Sequence, residues 1–115
     1  MRVTSDLWVS AMVRRAFSAG GFAAVERRGA SEAGAVFVVA RSRLGELRLF
    51  GPAPQSSYDE ARPSDRLFAE LANGADAAAI AARIEREARF DPDLWLVEVE
   101  VDEALLADLV PLRMP

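Results

Sequence analysis

The stretch "AVFVVAR", residues 35–41, constrains the fold more than any other part of the chain. Successive side chains of a strand point to opposite faces. Here both sets are apolar, so this strand is central and covered on at least one face. Residues 94–101, "LWLVEVEV", carry a different pattern: Trp95, Val97, Val99 and Val101 fall on one face, Leu96, Glu98 and Glu100 on the other. That alternation describes a half-buried strand. The chain must therefore build a sheet and supply something apolar to lay against it.

Two segments can do so. Residues 5–19, "SDLWVSAMVRRAFSA", repeat apolar side chains at Trp8, Val9, Met12, Val13, Ala16 and Phe17, the 3.6-residue period of an amphipathic helix. Ser5 is suited to cap its amino end, Asp6 to the positive end of its macrodipole, and Gly20-Gly21 to end it. Residues 75–90, "ADAAAIAARIEREARF", form a second helix, capped by Asp76, buried along its alanines, Ile80 and Ile84, and supported by a Glu85–Arg89 pair. "DEALLADLVP" adds a short terminal helix from Asp102, stopped by Pro111.

Residues 22–28, 35–41 and 46–50 read as a three-strand meander, joined by turns at 29–34 and 42–45, with Gly45 free to take positive φ. Residues 51–65 hold three prolines and little apolar content and read as a long loop. Residues 66–71, too short for periodicity to decide, are assigned to a strand. The economical assembly is one α+β domain over residues 1–115: a mostly antiparallel sheet of four to five strands, with the two main helices packed on one face.

The missing residue types narrow the chemistry. The chain contains no histidine, cysteine or lysine. A Ser-His-Asp triad, a thiol nucleophile, a Schiff-base lysine, a zinc finger and a Walker A lysine are all excluded. Carboxylates alone are left for acid–base work. Disulfides are impossible, which suits a reducing cytosol, and Asp6, Arg14 and Arg15 interrupt the first apolar run, so no signal peptide or membrane span is expected there.

All fourteen cations are arginine, with a balance of +4 over residues 1–50 and −8 over residues 51–115. Arg14 and Arg15 on the first helix could share a rim with Arg27 and Arg28 at the end of the first strand. Guanidinium forks there would grip a phosphate or an acidic protein partner. A net charge of −4 and a pI near 4.8 weigh against nucleic acid.

"FDPDLW", residues 90–95, admits two readings. In one, Asp91 and Asp93 join Glu98 or Glu100 around a hard divalent ion. Alternate strand positions lie roughly 6.6 Å apart, however, too far for the two glutamates to share an ion unaided. In the other, Pro92 forces a turn, the aspartates bond to turn amides, and Trp95 is delivered to the core at a fixed height. The second is favoured, with Arg41 or Arg48 as cross-strand partners of the glutamates. Neither metal nor cofactor is expected.

"LWVSAMVRR", "VERRGASEAGAVFV", "LFGPAP" and above all "RFDPDLWLVEVE" resemble a family of short bacterial proteins, seen mainly in alphaproteobacteria and known as a domain of unknown function. The resemblance covers nearly the whole chain and implies a bacterial cytosolic α+β protein, without an activity or catalytic residue to transfer. A non-catalytic protein-interaction or accessory role is the expectation. A nucleic-acid or phosphate binder and a carboxylate metal-dependent enzyme stand as alternatives. A homodimer would follow if strand 22–28 or 46–50 lies at an exposed edge, although Glu26, Arg27 and Arg28 would blunt the first.

Overall fold

A computed structural model describes residues 3–54 and 66–113. In chain order the elements are α1 (Ser5–Ser18), β1 (Phe22–Arg27), β2 (Val36–Arg41), β3 (Leu47–Pro52), β4 (Phe68–Ala75), α2 (Ala77–Phe90), β5 (Trp95–Glu100) and α3 (Glu103–Leu109). The fold is α+β: three helices on a five-stranded mixed sheet, mostly antiparallel. The expected loop at 51–65 starts later, since Gly51 and Pro52 belong to β3, and its residues 55–65 lie outside the described residues.

The sheet order is β1-β5-β2-β3-β4, which corrects the expected three-strand meander. β5 inserts between β1 and β2, antiparallel to the first and parallel to the second. A parallel pair requires a crossover, and α2 supplies one on the way from β4 to β5. The insertion gives β2, apolar from Val36 to Ala40, a strand on each side.

The two main helices, α1 and α2, do not share a face, which corrects the second expectation. Val36, Val38 and Ala40 of β2 pack with Val97 and Val99 under Val9, Met12 and Ala16 of α1 and Leu106 and Leu109 of α3. Phe37 and Val39, pointing the other way, pack with Leu47, Leu49 and Leu94 under Ile80 and Ile84 of α2. A strand apolar at both parities needs cover twice, and one layer of helices provides it only once.

Local signals are mostly where the residues place them. Gly45 has φ +84° in the β2–β3 turn, and Asp76 and Asp102 cap α2 and α3 by accepting from the Ala79 and Leu105 amides. Residues 66–71 do lead into a strand, β4, which runs on to Ala75. At the start of α1 the cap is Thr4, not Ser5, because Ser5 is fully buried and already committed. Its hydroxyl donates to the Gly34 carbonyl (2.5 Å) and accepts from the Arg66 guanidinium (3.1 Å). On α2 the i,i+4 pair is Arg83–Glu87 at 3.0 Å rather than Glu85–Arg89.

Candidate functional site

The "FDPDLW" corner is built as a turn. The Asp91 amide donates to the Glu87 carbonyl and closes α2. The Asp91 carboxylate then accepts from the Asp93 amide at 3.2 Å, and its carbonyl accepts from Leu94. Pro92, which has no amide to donate, occupies the position where none is called for. The Asp93 carboxylate is exposed and has no hydrogen-bond partner among the described residues, whereas its carbonyl accepts from Ala30 at 2.9 Å. Trp95 is 1% exposed, and its indole Nε1 donates to the Ala30 carbonyl at 2.8 Å.

That corner interlocks with the turn at 29–34. A Cβ on Gly29 would overlap the Asp93 carbonyl oxygen and come within 2.6 Å of the Leu94 oxygen; one on Gly34 would also overlap the Asp93 oxygen. The same turn receives the first amides of α1, Ser5 donating to Glu32 and Asp6 to Ser31. Among the described residues no three carboxylates are grouped so that they could hold a metal ion. Glu98 faces Arg41 at 3.5 Å, and Arg48 is taken by Glu70 (2.7 Å) and Glu103 (3.4 Å).

The structure does not gather the four arginines of the expected rim: Arg28 and Arg14-Arg15 lie at opposite ends of α1, and Arg27 is on the other face of the sheet. Arg28 lies beside Asp6 at the start of the helix (3.4 Å) and over the Trp95 ring, 5.0 Å from its centroid. Arg15 pairs with Asp108 of α3 at 3.7 Å. Nine residues of helix separate Asp6 from Arg15, about 13 Å at 1.5 Å per residue. Arg14 and Arg15 line a shallow depression of about 540 Å³ with Ser18 and Leu105. Beside it a cleft of about 470 Å³ runs between Gly20-Gly21, the β2–β3 turn and the start of α3, with Arg41, Arg43, Glu100 and Glu103 among its lining residues. Its charges are mixed, and it singles out no ligand.

The surface that sequence reasoning located only as a conditional edge is β1. Strand 46–50 is interior, between β2 and β4, while among the described residues β1 pairs with β5 alone. Phe17 is 53%, Phe22 41% and Val25 43% exposed, with Phe17 and Phe22 in edge-to-face contact at 5.8 Å. Cross-strand partners share a face. Val25 opposite Val97 therefore lies on the α1 face, and Ala24 and Arg27, opposite Glu98 and Leu96, on the α2 face; Phe22, opposite Glu100 at the start of the strand, turns its ring to Phe17. A bulge at Glu26 turns Arg27 to the α2 face. The core beneath α2 includes no β1 residue, so among the described residues this strip of sheet is bare. The four uncharged residues "FAAV" at 22–25 were the available signal.

No helix among the described residues is long and apolar enough to cross a membrane. A family model described as "Protein of unknown function (DUF1491)" matches residues 3–106. No curated protein matches the chain. Among solved structures, the solution structure of protein Atu0922 from A. tumefaciens is similar at 50% identity and TM-score 0.83, covering 100% of this chain and 98% of that one. The crystal structure of a DUF1491 family protein from Caulobacter crescentus CB15 is 39% identical with TM-score 0.70, covering 87% and 88%. An NMR structure of a DUF1491 family protein from the same organism is 38% identical with TM-score 0.71, covering 90% and 89%. This chain belongs to the DUF1491 family.

Proposed function

We propose that this domain is a non-catalytic protein-interaction module that takes a strand of its partner along the free edge of β1. One observation carries the reading: a strand edge unpaired among the described residues and lined by exposed apolar side chains, Val25 on the α1 face and the contacting rings of Phe17 and Phe22 at its start. Such an edge offers a row of unused amides and carbonyls to another chain. Main-chain bonds then give affinity, and the flanking side chains give selectivity. A cytosolic setting accords with it, because a chain without cysteine gains nothing from an oxidising compartment. The nucleic-acid reading has less support, since Arg28 and Arg15 each face an aspartate and the net charge is −4.

The test is capture from bacterial extract with wild-type bait and with Val25→Asp bait of equal thermal stability. A protein retained by the first and lost by the second, additional copies of this chain included, supports the reading. Identical captures from both baits, or none from either, count against it.

A further inference from the structure

We infer that the β1 edge pairs with a second copy of itself, two antiparallel β1 strands meeting across a twofold axis at Ala24 to join two five-stranded sheets into one. The inference rests on the interaction reading above and names its partner. Two observations lead to it, one steric and one electrostatic.

The steric one concerns register. Directly opposed residues of an antiparallel pair share a face, so a twofold axis normal to the sheet must pass through a residue position, not between two. An axis at Ala24 sets Ala23 against Val25 of the second copy on the α1 face and Ala24 against Ala24 on the bare face. It uses the whole unbulged run of β1, Phe22 to Val25, and puts its two smallest side chains at the centre. A strand spacing of about 4.8 Å is then unobstructed. Proline and lysine, common means of blunting an edge, are absent from β1.

The electrostatic one concerns Arg27 and Glu100. Both are exposed on the bare face, and neither has an ion-pair partner among the described residues. Within one chain they cannot meet. Arg27 stands opposite Leu96, four residues along β5 from Glu100, or about 13 Å at 3.3 Å per residue. The twofold axis removes that separation. It carries Arg27 of one copy next to Phe22 of the other, whose cross-strand neighbour is Glu100. With the Phe22 ring turned to Phe17, the long guanidinium arm reaches past the Phe22 position toward that carboxylate. Arg27 at the end of β1 is thereby complementary to Glu100 on β5 of the second copy.

The experiment uses the purified full chain. Sedimentation is expected to give a concentration-dependent dimer. Arg27→Glu should weaken it about tenfold and the double variant Arg27→Glu/Glu100→Arg should restore most of that loss, as a charge pair at an interface requires. Because the chain has no cysteine, Ala24→Cys carries a single thiol, and mild oxidation should yield a covalent dimer, whereas Ala78→Cys, exposed on α2, should not. Wild-type sedimentation as a monomer at millimolar concentration overturns the inference. So does a dimer indifferent to Arg27→Glu and not captured by Ala24→Cys. Either failure leaves the interaction reading to its own test: Val25-dependent capture of a different protein by a monomeric chain would mean that a foreign strand occupies the edge.

Discussion

The indole Nε1 of Trp95 donates to the carbonyl of Ala30 across 2.8 Å, tying the corner after α2 to the turn between β1 and β2. Sixty-five residues separate the two in sequence. Trp95 thus fills the core under α1 and also fixes where β5 enters the sheet, directly alongside Val36. Trp95→Ala should cost on the order of 3–5 kcal/mol, the usual loss for a buried aromatic. Asp93→Asn, with an exposed carboxylate that has no partner among the described residues, should stay within about 0.5 kcal/mol of wild type. Denaturant melts in chelator and in millimolar Mg²⁺ check both. A metal site would appear as an ion-dependent gain in stability that Asp93→Asn abolishes.

Gly29 and Gly34 should tolerate no side chain. The atoms a Cβ would strike are backbone, chiefly the Asp93 oxygen, and cannot rotate away. Gly29→Ala and Gly34→Ala are each expected to cost about 1–3 kcal/mol or more, the range for overpacking. Gly20→Ala, with nothing within 4 Å and only its φ of +83° to strain, should cost nearer 1 kcal/mol. Urea midpoints of the three variants should rank in that order.

Ser5→Ala should cost about 1–3 kcal/mol, because it leaves the buried Gly34 carbonyl without its donor. It also removes the acceptor that Arg66 reaches from the start of the chain segment leading into β4. Thr4→Ala removes only an exposed cap and should cost about 1 kcal/mol. The larger effect at Ser5, measured by chemical denaturation, would separate a buried hydroxyl from an ordinary cap.

Asp91→Asn should behave nearly as wild type, since asparagine keeps the oxygen that accepts from the Asp93 amide. Asp91→Ala should lose about 1 kcal/mol as that amide goes unpaired. Amide hydrogen exchange at Asp93 and Leu94 checks it: faster in the alanine variant, unchanged in the asparagine variant.

The sequence by itself determined the elements and the corner. Helical spacing from Trp8 to Phe17, strand alternation from Trp95 to Val101, the caps Asp76 and Asp102, and the turn at Asp91-Pro92 are each set by neighbours a few residues away, so the local sequence is enough to read them. Tertiary structure decided what those elements meet. Val97 and Val99 demand an apolar partner but do not specify β2, so the insertion of β5 between β1 and β2 was not legible. The double-sided apolarity of residues 36–40 did imply cover, yet only packing distributed α1 and α3 to one face and α2 to the other. Ser5 looks like a cap in sequence and becomes a buried tie because Gly34 and Arg66 arrive from distant segments. The edge character of β1, on which the candidate interface depends, likewise follows from which strand takes the neighbouring place. Periodicity records that a side chain is buried; the partner that buries it is a long-range choice, made by the competition among all apolar faces at once.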